Sequence, residues 1–218
     1  MPRRARLTLP NVPMHITQRC NNQQACFFYD DDRYFYLAWL KEYANITGCQ
    51  IHAYVLMTNH VPLLVSAGTG SSASALMKAV GRRYAQYANR RYRRTGSLWE
   101  GRFRSCPTQE ASYLLACQRY IELNPPAPVW SSYRANADGQ ESALITPHPL
   151  YLMLGANPAA RQAAYRELFR SELEPELIDS IRSATNGNFA LGDERSGKAI
   201  AHALGTRTIP GATGRPRK

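Results

Sequence analysis

No apolar run in this 218-residue chain approaches the ~18 residues needed to span a bilayer. The basic N-terminus has no apolar signal core behind it, so neither anchoring nor export is expected. Cys20, Cys26, Cys49, Cys106 and Cys117 form no C-x-x-C pair and are odd in number, which points to buried or free thiols in a reducing cytoplasm. Internal repeats are absent, and the length suits one full core plus an appendage. Acidic residues are also scarce: 16 Asp and Glu stand against 27 Lys and Arg, for a formal charge of +11.

That surplus is concentrated. Lys78, Arg82, Arg83, Arg90, Arg91, Arg93, Arg94, Arg102 and Arg104 crowd one stretch in which Glu100 is the only acid. Guanidinium forks pair bidentately with phosphate, and their neutralisation of a backbone releases counterions. A solvated helix face is the plain alternative, but the sign asymmetry favours nucleic acid and disfavours a metal hydrolase with some other substrate.

Val12–Arg19 reads as a first strand. Asp30-Asp31-Asp32 then open a helix at its positive end, Phe35, Ala38, Trp39, Tyr43 and Ile46 give it an apolar stripe, and Gly48 closes it. Gln50–Met57 and His60–Ser66 are β-rich runs separated by Thr58-Asn59, a hairpin pattern. A second helix runs to about Arg91, burying Leu76, Val80, Tyr84 and Tyr87. Leu98–Cys106 is a fourth strand and Gln109–Leu123 a third helix, stopped by Asn124-Pro125-Pro126.

This order predicts an α+β fold: a ferredoxin-like split βαβ-βαβ antiparallel sheet, with an added helix after it. The RNA-recognition motif shares the order but stacks bases on aromatics of its central strands, and His60–Ser66 has none. After Trp130 the character changes. Tyr133–Gly139 is loop-like, Pro158–Ile181 looks helical, and the basic end Gly214-Arg215-Pro216-Arg217-Lys218 resembles an AT-hook core only over five residues. The expected division is 1–135 for the main domain and 136–218 for a mostly helical extension with a disordered tail.

The chemistry-bearing segment is Val55-Leu56-Met57-Thr58-Asn59-His60-Val61-Pro62-Leu63-Leu64-Val65. Alternate strand residues share a face about 6–7 Å apart, so a His-hydrophobic-His spacing lets two imidazoles reach one cation. Here the second place holds Pro62, which has no ligand atom. On the third helix Tyr120 and Asn124 stand at i, i+4 and therefore share a face. Asn124 offers a hard oxygen suited to Mg²⁺ or Mn²⁺, and Tyr120 a phenol. Tyr120 also fits a core stripe with Tyr113, Ala116 and Cys117.

These blocks resemble the REP-associated tyrosine transposases, relatives of the single-tyrosine HUH transposases of bacterial insertion sequences. The likeness rests on Pro13–Arg19, Asn21-Asn22, Ala53–Val61, Gly96–Phe103, Tyr120-Ile121-Glu122-Leu123-Asn124-Pro125 and Trp130-Ser131-Ser132-Tyr133-Arg134. The resemblance implies an enzyme that cleaves single-stranded DNA beside a hairpin, joins its tyrosine to the 5′ phosphate, leaves a 3′ hydroxyl, and then reseals or transfers the strand. It makes Tyr120 the nucleophile and His60 and Asn124 the ligands of one divalent ion, Mg²⁺ or Mn²⁺. The Arg-rich stretch becomes the DNA-holding surface.

Four departures stand out: Pro62 where the family has histidine, Cys20 where it usually has glycine, Gln23 where it usually has arginine, and a short link between Pro125 and Trp130. Proline removes both a ligand and a backbone donor from an interior strand. The expectation is a cytoplasmic, nucleoid-associated DNA-binding protein with no membrane partner, its fold kept and its cleavage impaired. A non-catalytic relative on the same scaffold is the alternative, and a homodimer is left open.

Overall fold

Sequence order along the first half of the chain is β1 (Met14–Arg19), α1 (Asp30–Thr47), β2 (Cys49–Tyr54), β3 (His60–Ala67), α2 (Ser72–Arg91), β4 (Arg104–Pro107) and α3 (Ala111–Leu123). The structure is a computed structural model that describes residues 6–108, 111–123, 128–205 and 208. Asn124 and the basic end at 214–218 lie outside the described residues.

The strands form one four-stranded sheet in the order β2-β3-β1-β4, with every neighbouring pair antiparallel. Strand periodicity sorts the side chains. Met14, Ile16, Val61, Leu63 and Val65 face α1 and α2, which bring Tyr36, Leu40, Leu76, Val80 and Tyr84 to a shared core. On the other face Leu64 and Cys106 meet Leu114, Cys117 and Ile121 of α3. The expected split βαβ arrangement is therefore present, and the tyrosine helix lies across the sheet from α1 and α2.

Several local expectations are corrected. In α1 the buried residues are Asp32, Tyr36, Leu40 and Ala44, while Phe35 and Ile46 of the predicted stripe are exposed. Both sides of this helix carry apolar residues at helical spacing, so periodicity alone could not choose between them. Tyr87 is half-buried rather than buried. The fourth strand pairs only over Arg104–Pro107; upstream, Trp99 makes an isolated bridge to Cys20 and donates its indole N–H to the Gly81 carbonyl at 2.8 Å.

The cysteines also differ from expectation. The turn at Asn21–Gln23 folds back on itself, bringing Cys20 and Cys26 to a Cα separation of 5.8 Å, and the two form a disulfide. Cys49, Cys106 and Cys117 are free and buried.

The segment expected as a loop at Tyr133–Gly139 is the helix α4 (Tyr133–Asp138), closed by Gly139 in the left-handed region at φ 73°. The stretch read as one helix is α6 (Pro158–Glu167) and α7 (Pro175–Gly187), preceded by α5 (Pro149–Leu152). Pro175 sits in the first turn of α7, where its missing N–H costs nothing. α8 (Glu194–Leu204) follows. α4, α5 and α6 pack around Ala137, Tyr151 and Tyr165. α7 returns to the sheet, placing Ile181 and Ala184 among Leu64, Cys106, Cys117 and Ile121. Among the described residues, no helix is long and apolar enough to cross a membrane.

Pro62 interrupts nothing. β3 runs unbroken through it, and Thr17 of β1 is its partner. The Pro62 carbonyl accepts from Val55 N–H at 3.2 Å, so the nitrogen points to that same side, just beyond the last paired residue of β2. The lost donor therefore falls at the frayed end of the β2–β3 pairing, away from the β3–β1 ladder.

Candidate active site

Register fixes which side chains meet on the α3 face. Arg19 pairs with His60, Thr17 with Pro62 and His15 with Leu64, so these alternate residues of β1 and β3 share that face. α3 packs on the same face and carries the half-buried Tyr120. The ring of His15 meets the edge of Tyr120 at 5.9 Å between centroids, nearly perpendicular. His60 lies on the same face, four residues along β3 from Leu64, the partner of His15. His15 thus touches the predicted nucleophile on the face that the predicted ligand shares.

Hydrogen bonds set the proton on each ring. Asn59 Oδ1 lies 2.7 Å from His60 Nδ1 and can only accept, so Nδ1 carries the proton and Nε2 keeps its lone pair. Thr185 Oγ1 already donates to the Ile181 carbonyl at 2.7 Å, so it accepts from His15 Nδ1–H at 2.8 Å. His15 Nε2 is left facing Thr17 Oγ1 at 3.5 Å. Burial, reinforced by the charge of His60, pushes His15 down to about 4. Burial, then the charge of Arg19, does the same to His60. Both imidazoles are neutral at neutral pH.

The extension reaches into this site. On α7, Arg182 Nε donates to the Tyr120 hydroxyl at 3.3 Å, and its guanidinium lies 6.0 Å from the centre of that ring. Three residues on, one helical turn along, Thr185 holds His15, and Asn186 Oδ1 accepts from Arg104 at 2.7 Å. Asn188 accepts from the Ser105 backbone N–H, closing part of the outer edge of β4.

Below Tyr120, the α3 residue Glu122 is buried and accepts from Ser132 (2.5 Å), Asn136 (2.7 Å) and Tyr165 (2.7 Å). Burial pushes its carboxyl up to about 7 against the pull of those three donors. The tyrosine helix is therefore tied to α4 and α6 at its far side.

The predicted residues are only partly brought together. His60 and Tyr120 share a face; Asn124 lies outside the described residues. Among the described residues no group of three or more His, Cys, Asp or Glu is placed to hold a metal ion. The donors seen, one His60 nitrogen and nothing at Pro62, fall short of a tight divalent site.

The basic field divides. Arg104 sits on the α3 face opposite Thr17, and Arg102 is exposed nearby. Lys78, Arg82, Arg83, Arg90 and Arg91 belong to α2, on the far side of the sheet from Tyr120, and Arg93 and Arg94 follow directly. There Arg83 lies 5.4 Å from the Trp39 ring, Arg91 5.9 Å from Tyr92, and Arg94 6.0 Å from Phe28. Trp39, Arg83, Gln86, Tyr87, Arg90 and Arg91 line an open hollow of about 490 Å³.

Sequence reading missed His15, Arg19 and Arg182. The first two were detectable once β1 alternation was aligned with the hairpin, because 15, 17 and 19 must share the face of 60. Arg182 had no local signal, since only the return of α7 puts it beside Tyr120.

Comparison with known proteins bears on the family and the fold. The family model described as "Transposase IS200 like" matches residues 8–124. No curated protein matches. Among solved structures, a REP-associated tyrosine transposase bound to a REP hairpin is similar with a TM-score of 0.53 and 14% identity, covering 68% of this chain and 93% of that one. A candidate transposase from Deinococcus radiodurans R1 has a TM-score of 0.40 and 20% identity, covering 58% of this chain and 100% of that one. The first likeness speaks to the fold alone, and the second carries no weight.

Proposed function

The chain belongs to the IS200-like transposase family, and from that premise we propose that it cleaves and rejoins single-stranded DNA at hairpin-forming repeats through a phosphotyrosine on Tyr120. In this copy the reaction is impaired because Pro62 stands where a second imidazole belongs. The observation that supports this most is the edge contact of His15 with Tyr120 on the sheet face that His60 shares through the β1–β3 register. The proposed nucleophile and ligand are carried on the same face of the sheet.

A free phenol is almost wholly protonated at neutral pH, so attack on a phosphodiester needs positive charge near both phenol and phosphate. Arg19 and Arg104 flank the site and suit the scissile phosphate. The proposed Mg²⁺ or Mn²⁺ would rest on His60 Nε2 with Asn124 as its further ligand, a weakened site whose role is to polarise the phosphate. The α2 arginines suit the DNA backbone away from the cut, which asks the strand to pass around an edge of the sheet. The likeness to a hairpin-bound transposase agrees with DNA as the partner.

The test uses labelled single-stranded hairpin DNA with Mn²⁺. A weak covalent adduct that is absent in Tyr120→Phe and greatly increased in Pro62→His is expected. A protein that binds the hairpin but yields no adduct in either form is the non-catalytic relative instead.

A further inference from the structure

We propose that Arg182 of α7 is a catalytic residue, the cation that accompanies the Tyr120 oxygen through phosphodiester attack. The proposal rests on Tyr120 being the nucleophile. It goes beyond that assignment because α7 lies outside the segment shared with the family, residues 8–124.

Three observations meet at this residue. First, Arg182 Nε touches the atom that would form the new bond, at 3.3 Å from the Tyr120 hydroxyl. Second, the helix presenting it is anchored on both sides: Thr185 to His15, Asn186 to Arg104, and Ile181 and Ala184 in the core beneath. Third, Pro62 on the strand across the site carries no ligand nitrogen, so His60 is the one imidazole of the 60/62 pair able to hold a cation where a phenolate and a phosphorane develop, and a protein cation there has work to do. Among the described residues Arg182 pairs with Asp179, at 3.7 Å on the same exposed helix face, a pairing that water largely screens.

Guanidinium geometry suits the task. Nε faces the phenol while Nη2, joined by Nη1 once it leaves the exposed Asp179, can grip a non-bridging phosphate oxygen, so one planar cation can span nucleophile and electrophile. In the step itself the Tyr120 O–H proton passes to water, and the phenolic oxygen bonds to phosphorus. The P–O3′ bond breaks, and the departing 3′ oxygen takes a proton from water. Arg182 stays protonated throughout.

The same contact read as a clamp would hold Tyr120 away from DNA, and the two roles predict opposite signs. Two measurements on the full chain separate them. Without DNA, Tyr120 nitration by tetranitromethane, which attacks phenolates, is mapped by peptide mass spectrometry, with exposed Tyr29 and Tyr34 as internal references. Arg182→Gln is expected to slow nitration of Tyr120 about tenfold, the lower end for losing a charge-assisted hydrogen bond, while Arg182→Lys keeps most of the rate. An unchanged or faster Tyr120 reaction in Arg182→Gln overturns the proposal.

With saturating hairpin DNA and Mn²⁺ in the Pro62→His background, Arg182→Gln is expected to lower single-turnover adduct formation by about a hundredfold, a larger loss than in DNA affinity. Increased adduct in that variant would mean α7 is a clamp. An adduct that survives Tyr120→Phe, or no adduct in Pro62→His, sinks the nucleophile assignment separately, and the nitration result still decides the Arg182 contact.

Discussion

Thr185 on α7 accepts a hydrogen bond from His15 on β1 at 2.8 Å, joining residues 170 apart in sequence at the floor of the candidate site. Both groups are buried. Thr185→Val keeps the shape but leaves the His15 Nδ1–H without its acceptor. We expect a loss of about 1–3 kcal/mol in urea unfolding, the cost of a buried unsatisfied donor. An unchanged midpoint would mean that α7 does not hold this position in solution.

Glu122 gives a pH-dependent prediction. Its folded carboxyl is pushed up to about 7 by burial, above the ordinary 4.5. Between those values the folded state keeps a proton that the unfolded chain has lost, so stability falls as pH rises through this window. Glu122→Gln removes the titration and should flatten the profile between about pH 4.5 and 7. Thermal melts across that range check it; equal slopes in both proteins would contradict it.

Asp32 has the opposite sign. Burial alone would raise its carboxyl, but N–H groups of Phe28 and Tyr29 and hydroxyls of Tyr92 and Tyr87 together hold it below the usual range. Its contribution is full above the unfolded value and is lost as pH falls through the folded one. Asp32→Ala should cost about 2–4 kcal/mol near neutral pH, and the difference from the parent protein should shrink in acid.

How much of this was legible in the sequence depends on the length of the interaction. The strand order and helix positions followed from local pattern, and alternation placed His60 and Pro62 on one face. The inner side of α1 did not follow, because Tyr36-Leu40-Ala44 and Phe35-Trp39-Tyr43 are both apolar at helical spacing and only docking on the sheet selects the first. The Cys20–Cys26 pairing depended on the turn between them. Arg182 and Thr185 were illegible for a different reason. Their partners Tyr120 and His15 lie far off in sequence, and nothing in the residues of α7 marks a helix that returns to the sheet.

The division of the arginines also has a measurable consequence. Arg83, Arg90 and Arg91 sit across the sheet from Tyr120. Replacing all three with alanine should weaken hairpin binding and reduce the slope of log affinity against log salt by about 2, at roughly 0.7 for each single-strand phosphate no longer neutralised. At saturating DNA the adduct rate should be unchanged. A collapse of that rate at saturation would place these residues at the chemistry instead.

The most direct test of the central assignment is mass-spectrometric mapping of the protein–DNA linkage. After incubation of the Pro62→His protein with hairpin DNA and Mn²⁺, the nucleotide should be found on the peptide carrying Tyr120 and on no other tyrosine peptide. A linkage at a different tyrosine, or one that survives in the Tyr120→Phe form, would contradict the account.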